Sequence, residues 1–371
     1  MDRRRIPAVA LAALAMAVTT GAAGPSPSPS PTGTPSASPT QSDGTLQILT
    51  YRGYAEYGGT SPRANWAGPF ERETGCRVAR LDTVQTPKEM EDKLAERPYD
   101  VISAGPALAG AMIEAKQVQP VDTAKIEGYD DLAERLRDLM TDSGTVYGVP
   151  FLWGSHEFLY DSRELDGGDV AKVLAADRVM LKDSPLTLAD AALADDAVDR
   201  PFELTASQLD EAARRLAGRQ DRTYWTNPLD LVKGFATGSV DYAQATPYFR
   251  MLLQKAKIPV KAVAARKTTG WVDSWMLGAN VTDTDCAYRW LNRMTEADTQ
   301  RDAAAWLGLA PANTKACKGR ATSVCEAYGA TKSYRLDRIA FAVRPPGDCR
   351  PPEGECTDYA AWTERWRELT K

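Results

Sequence analysis

Aromatic side chains lie beside carboxylates at two places in the sequence, and such combinations can bind a cation. The first place is a loop after an early apolar segment, where Tyr54 and Tyr57 flank a glutamate. The second is the run Gly270-Trp271-Val272-Asp273. In a strand, residues two positions apart point to the same side, so Trp271 and Asp273 would form one surface. An aromatic face attracts an organic ammonium by roughly 0.5–2 kcal/mol, and a carboxylate adds charge-assisted hydrogen bonds. The alternative for this pair is structural, with Trp271 in a core and Asp273 capping a helix.

Residues for catalysis are much harder to find. His156 is the only histidine, and no G-x-S-x-G elbow or P-loop spacing accompanies it. We interpret His156 as a structural residue within an extended segment. Paired acidic residues, such as Asp130-Asp131 and Asp195-Asp196, lie in polar helical surroundings and are interpreted as solvated faces. The sequence therefore predicts no catalytic residue and no cofactor. A secreted hydrolase that uses His156 or an acidic pair is the weaker alternative.

Strands and helices alternate along the part of the chain that holds these residues. Apolar runs predict strands, and leucines or tryptophans at helical spacing predict helices between them and after them. A helix is predicted to begin at Thr205, because Thr205 and Gln208 have the spacing of a capping box. This alternation predicts an α/β fold with a largely parallel sheet. The strands are predicted at 46–51, 76–81, 99–103, 258–263 and 271–277.

The amino-terminal region has the features of an export signal. Three arginines precede an apolar run, Ile6–Val18, and small residues follow it. The run is shorter than the roughly 20 residues that span a membrane, so we predict a cleaved signal peptide at 1–24. Residues 25–44 are rich in proline and serine and predict a disordered linker. No cysteine follows the apolar run directly, so no lipid anchor is predicted.

Length, charge and cysteine content narrow the class of protein further. The chain has 371 residues, more than a single core usually supports, so two lobes are expected. Its formal net charge of −5 argues against nucleic-acid binding. Six cysteines in an exported chain indicate disulfides, whereas their spacing does not suit zinc, so no metal site is predicted. Cys286–Cys317 and Cys349–Cys356 are the expected pairs, because each flanks a helix or closes a short loop.

Several segments, taken in order, resemble the bacterial spermidine/putrescine-binding proteins of ABC importers. The resemblance runs from about Leu46 to the carboxyl terminus. The segments that carry it are 54–57, 70–78 (FERETGCRV), 99–103 (YDVIS), 147–154 (YGVPFLWG), 270–273 (GWVD), 286–292 (CAYRWLN) and 310–313 (APAN).

The resemblance implies a fold of two α/β lobes, of the type II periplasmic-binding-protein class, with the ligand in a cleft between them. We assign 45–152 and 271–315 to lobe 1, and 153–270 and 316–371 to lobe 2. The resemblance also implies ligand contacts. Trp271 and Asp273 match the aromatic and carboxylate that hold an amine, Tyr54 and Tyr57 match aromatic positions of the first loop, and Asp183 matches a carboxylate from the other lobe.

Four positions depart from the pattern of that family. Ala55 replaces a hydroxyl residue, Leu186 stands where a further carboxylate is expected, Ala107 or the next residue replaces a tyrosine, and Thr246 replaces a tryptophan. A long polyamine needs an anionic contact at each amine. One ammonium contact is therefore better supported by the sequence than a complete polyamine site.

The sequence thus predicts an exported, extracytoplasmic solute-binding protein of an ABC importer. The expected ligand is a small organic cation, and the polyamines spermidine and putrescine are the named candidates. Its partners would be the permease and its ATPase, and the protein would be a monomer without enzymatic activity. One alternative keeps the fold but changes the solute. Another is a secreted envelope protein with no part in transport.

Overall fold

The computed structural model describes residues 44–218, 222–347 and 355–371. The predicted signal peptide (1–24) and almost all of the predicted linker (25–44) lie outside the described residues. Within the described residues, no helix is both long enough and apolar enough to cross a membrane.

The strands of the described chain are β1 (Thr45–Tyr51), β2 (Arg77–Val84), β3 (Val101–Ala104), β4 (Val118–Gln119), β5 (Thr141–Asp142), β6 (Thr145–Val146), β7 (Gly148–Ser155), β8 (Glu157–Asp161), β9 (Val179–Lys182), β10 (Thr223–Trp225), β11 (Tyr242–Ala245), β12 (Val260–Ala262), β13 (Thr268–Gly278), β14 (Ala310–Pro311) and β15 (Ile339–Phe341). The predicted α/β class is confirmed, and each predicted strand has a counterpart here.

The helices are α1 (Ala67–Thr74), α2 (Pro87–Glu96), α3 (Pro106–Glu114), α4 (Glu134–Asp138), α5 (Val170–Ala175), α6 (Thr187–Ala192), α7 (Ala206–Leu216), α8 (Leu229–Thr237), α9 (Pro247–Lys255), α10 (Thr284–Thr295), α11 (Ala297–Leu307), α12 (Thr322–Tyr328), α13 (Ser333–Leu336) and α14 (Tyr359–Leu369). Thr205 caps α7, and Gln208 completes the predicted capping box.

The larger sheet has the strand order β14-β7-β13-β3-β1-β2, with β4 and β15 also paired to β13. Its first strands are parallel, as expected for strands joined by helices. However, β13 runs antiparallel to both β3 and β7, so the sheet is mixed rather than largely parallel. The sequence pattern could not show this, because β13 enters the sheet more than 150 positions after β3.

The smaller sheet has the order β10-β9-β11-β8-β12 and contains only residues between 157 and 262. Each sheet has its own buried core. Trp153, Trp275 and Trp290 belong to the core of the larger sheet, whereas Trp362 and Trp366 of α14 belong to that of the smaller sheet.

The chain crosses from the larger to the smaller sheet at His156, between β7 and β8. It returns between β12 and β13. Residues of α12 and β15 pack into the core of the larger sheet, and α14 packs on the smaller one. The lobe boundaries that the sequence predicts stay a prediction.

Two disulfides join described cysteines, and neither is the predicted Cys286–Cys317 pair. Cys76 bonds Cys286 with a Cα–Cα distance of 5.8 Å, and Cys317 bonds Cys325 with a Cα–Cα distance of 5.6 Å. The prediction was wrong because α10 packs against α1, which brings Cys286 to a residue 210 positions earlier. Cys356 is also disulfide-bonded. Its predicted partner, Cys349, lies outside the described residues.

Candidate ligand-binding site

Asp273 lies in the middle of β13, where that strand passes between β7 and the end of β3. It is paired with Leu152 of β7, and the next residue, Ser274, is paired with Ala104 of β3. Gly105 follows β3 directly and lies against the carboxylate. A Cβ at Gly105 would be 3.3 Å from Oδ1 of Asp273, so the absence of a side chain leaves room for the aspartate.

Tyr54 donates a short hydrogen bond from its hydroxyl group to Oδ2 of Asp273. It reaches the aspartate because the chain turns after β1, where Gly53 has a φ of 92° and the Tyr54 amide donates to the carbonyl of Tyr51. The ring of Tyr54 is buried and contacts Phe151 edge-on, with 5.6 Å between ring centroids. The predicted proximity of the first loop and the Trp-x-Asp pair is therefore present in the structure.

Trp271 lies two residues before Asp273 on the same strand and favours the ionised form of its carboxylate. The indole covers Gly154, its partner residue on β7. A Cβ at Gly154 would be only 2.5 Å from two atoms of the indole ring. The exposed part of the indole belongs to the surface between the two sheets, because Trp271 also packs against the core of the smaller sheet.

Burial raises the pKa of Asp273 from its ordinary value of 3.8 to about 6. The side chain is only 6% exposed, so the carboxylate is poorly hydrated. The hydrogen bond from Tyr54, the charge of Lys182 and the neighbouring Trp271 act in the opposite direction and favour the ionised form. At neutral pH the site therefore holds a buried negative charge.

Lys182, which comes from the smaller sheet, is a cation whose charge acts on this carboxylate. It is the last residue of β9, and its Nζ lies 4.7 Å from the centroid of the Trp271 ring. Desolvation lowers the pKa of Lys182, while the charges of Asp273 and Asp190 raise it. The Trp271 ring was expected to contact an ammonium of the ligand. In the structure, the ammonium of Lys182 already lies over that ring.

Asp183 does not join this cluster. Its Oδ1 accepts a hydrogen bond of 2.8 Å from the indole nitrogen of Trp366 in α14, and its side chain is exposed. Lys182 and Asp183 are consecutive residues at the end of a strand, so they point in different directions. The structure therefore brings the lysine, and not the predicted aspartate, to Trp271.

Tyr57 is also separate from Asp273. It is 42% exposed and lies within electrostatic reach of Glu71 in α1, and its backbone forms an isolated bridge to Asn65. Of the five predicted residues, the structure therefore assembles Tyr54, Trp271 and Asp273, and it places Tyr57 and Asp183 in other contacts.

Each of the four positions that depart from the family pattern is buried, packed or hydrogen bonded within the protein. Ala55 is buried, the carbonyl of Ala107 accepts a hydrogen bond from Arg344, and Leu186 packs against the core of the smaller sheet. Thr246 caps α9 by accepting a hydrogen bond from the amide of Phe249.

His156 belongs to a buried polar network beside Trp271. Its ring lies 5.0 Å from the Trp271 ring, and its Nδ1 is 2.9 Å from Oγ1 of Thr269. Asp190 accepts hydrogen bonds from Thr269 and Gln244, at 2.7 and 2.8 Å. Burial lowers the pKa of His156, and Asp190 opposes that effect. This network is consistent with the structural interpretation of His156.

Lys182 is the residue that sequence reasoning missed. Alternation along β9 gives no reason to choose between Lys182 and Asp183, because the strand ends at this point.

Among the described residues, no group of acidic residues, histidines and cysteines has the arrangement of a metal site.

A cavity of about 340 Å³ lies near this cluster but does not contain it. It is bordered by α3, β7, β13 and residues 342–344, including Val272 and Ser274. None of the five predicted residues lines it.

Comparison with known proteins identifies the class to which the fold and this cluster belong. Residues 65–324 match the family of bacterial extracellular solute-binding proteins, and the chain belongs to that family.

Two curated relatives are similar to parts of the chain. A putrescine/agmatine-binding protein of Pseudomonas aeruginosa is 33% identical over 96 residues, which are 25% of this chain and 26% of that protein. The chain thus matches only about a quarter of the length of that relative. A spermidine/putrescine-binding periplasmic protein 1 of Haemophilus influenzae is 21% identical over 268 residues, covering 69% of this chain and 74% of that protein.

A solved structure shares the fold. It is the spermidine/putrescine ABC transporter substrate-binding protein PotD of Streptococcus pneumoniae, with a TM-score of 0.67 and 17% sequence identity. The likeness covers 88% of this chain and 97% of that one. The predicted two-lobed binding-protein fold is thereby confirmed.

Proposed function

We propose that this protein is the extracytoplasmic substrate-binding component of an ABC importer and that its solute is a small organic amine. Membership of the solute-binding family supports the first part, and the names of the relatives, which bind putrescine, agmatine or spermidine, support polyamines as the class of amine. Its partners would be a permease and an ATPase at the membrane, and the protein would be exported and monomeric.

The observation that carries the proposal is the arrangement around Asp273. A buried carboxylate, an indole ring and a tyrosine hydroxyl meet where β13 passes between β7 and β3. An ammonium at this point would gain a charge-assisted hydrogen bond from the carboxylate and a cation–π contact with Trp271. The other carboxylate oxygen, Oδ1, lies next to Gly105, which has no side chain to cover it.

Asp183 and Tyr57 stay secondary candidates for ligand contacts. Asp183 could reach a ligand only after its hydrogen bond with Trp366 breaks, since one carboxylate oxygen is engaged there. Closure of two lobes around a solute is the kind of movement that could rearrange such a contact.

The test is calorimetric titration of the protein with spermidine and putrescine. Asp273→Asn is expected to weaken binding by about 100-fold or more, because truncating one partner of a buried charge pair costs roughly 2–5 kcal/mol. Asp183→Asn is the matched control, with the same chemical change at a carboxylate outside the Asp273 cluster, and should alter the affinity by less than about threefold. Equal losses in the two variants, or no loss in Asp273→Asn, would remove Asp273 from the site.

A second candidate keeps the fold and replaces the polyamine with another small solute. The observation in its favour is the position of Lys182 on the Trp271 face, where a polyamine ammonium would be expected. Mass spectrometry of solute retained by the natively purified protein would separate the two, since a retained polyamine would exclude this candidate.

A further inference from the structure

Lys182 changes the balance of charge next to Asp273. Its Nζ lies over the Trp271 ring at 4.7 Å from the centroid, and the charges of both Asp273 and Asp190 act on it. The residue is partly buried, and its ammonium is desolvated beside the Trp271 ring. A ligand that reaches Asp273 therefore also meets Lys182.

Two other carboxylates near Lys182 are already engaged in hydrogen bonds within the protein. Asp190 already accepts hydrogen bonds from Thr269 and Gln244, and it is buried beneath His156. Asp183 is bonded to Trp366. Asp273 alone remains for a ligand ammonium, and the positive charge of Lys182 stands beside it.

The lysine is also held in place by its own backbone. The Lys182 amide donates to the side chain of Gln244 at 2.9 Å, and its carbonyl accepts from Thr187 at the same distance. These contacts fix the end of β9 and aim the side chain at Trp271. Lys182 is therefore a built part of the cleft rather than a freely moving surface lysine.

We propose that Lys182 is a specificity-determining residue, which selects a solute with one ammonium for Asp273 and a carboxylate for Lys182 over a solute with two ammonium groups. The inference rests on the proposed amine site at Asp273 and narrows its substrate class to zwitterionic amines. Like charges brought together at a binding site disfavour the wrong partner, and opposite charges favour the right one.

The test compares two probes of equal chain length, 1,4-diaminobutane and 4-aminobutanoate, by calorimetric titration. The wild-type protein should prefer 4-aminobutanoate. Lys182→Met keeps the length of the side chain and removes its charge. This variant should bind 4-aminobutanoate at least about tenfold more weakly and 1,4-diaminobutane at least about tenfold more tightly than the wild-type protein does. Lys182→Arg keeps the charge and should retain the wild-type preference, while melting curves confirm that each variant is folded.

The outcomes separate this inference from the proposed function. If Asp273→Asn abolishes binding of both probes and Lys182→Met leaves their ratio unchanged, the amine site stands and the role of Lys182 is overturned. An increase in affinity for both probes in Lys182→Met also overturns it, because the lysine would then be only a competitor for the amine. If no amine binds the wild-type protein, or Asp273→Asn binds both probes normally, the proposed amine site itself fails.

Discussion

At the scale of single residues, the charge of Asp273 serves the proposed ligand site, and burial of that charge destabilises the folded protein. Its carboxylate is buried among Tyr54, Trp271 and Gly105, and burial disfavours its ionised form. Groups of this kind often lie at functional sites, because a ligand can supply the missing counter-charge. We therefore expect Asp273 to destabilise the protein in the absence of a ligand.

The dependence of folding stability on pH follows from the direction in which burial shifts the pKa of Asp273. The pKa of Asp273 is about 6 in the folded protein and 3.8 ordinarily, so the folded state binds this proton more tightly. Below about pH 4 the group is protonated in both states. As the pH rises from 4 to above 6 the unfolded chain ionises first, and stability falls by on the order of 3 kcal/mol.

Asp273→Asn should therefore raise the melting temperature at pH 8 and leave it nearly unchanged at pH 4, in scanning calorimetry without added amine. The same variant should lose amine binding, so stability and affinity would move in opposite directions. A lower melting temperature than wild type at pH 8 would show that the carboxylate is a net stabilising group and would contradict this account.

At the scale of elements, β13 and β7 together form the aromatic part of the site. Gly154 is the residue of β7 opposite Trp271, and the indole lies where a side chain of any other residue would begin. The glycine thus sets the position of the ring relative to Asp273 and Lys182. This is a requirement of close approach, and it does not involve an unusual backbone angle.

Gly154→Ala should displace the indole and weaken amine binding by up to about 30-fold, the value of a cation–π contact. Overpacking should also lower the free energy of unfolding by roughly 1–3 kcal/mol. Gly59→Ala is the control, because nothing lies within 4 Å of a Cβ added there. Calorimetric titration and chemical denaturation of both variants provide the measurements, and equal behaviour of the two would refute the role of Gly154.

In the candidate ligand-binding site, contacts between residues close together in the sequence could be predicted more easily than contacts between residues far apart. The Trp271–Asp273 pair was predictable, because it depends only on the period of a strand. Tyr54 was predictable as an aromatic of the first loop, but its bond to Asp273 spans 219 positions and needed the strand order. Lys182 was not predictable, because its direction depends on where β9 ends and on which groups Gln244 and Trp366 engage.

At the scale of the whole molecule, two disulfides of very different span stabilise the larger sheet region. The Cys76–Cys286 bond links residues separated by 210 positions, and Cys317–Cys325 links residues separated by 8. A crosslink restricts the unfolded chain more when it closes a longer loop. The mistaken Cys286–Cys317 pair shows how a contact of this span is hidden from local spacing.

The Cys76→Ala/Cys286→Ala variant should lose more stability than the Cys317→Ala/Cys325→Ala variant, by about 3 kcal/mol from chain entropy. Denaturant unfolding of both variants beside the oxidised wild-type protein measures the difference. Amine affinity should stay within about twofold in both, since none of these cysteines contacts Asp273, Trp271 or Tyr54. A larger loss from the shorter loop would contradict the entropic account.

The strand order has a consequence for a chain synthesised from its amino terminus. All strands of the smaller sheet lie between residues 157 and 262, so that sheet can assemble as soon as this segment is available. The larger sheet stays divided until residue 278, because β13 must enter between β3 and β7. The sheet begun second is thus the first whose strands are all available, and the arrival of β13 joins the two parts of the larger sheet and delivers Trp271 and Asp273 in the same step.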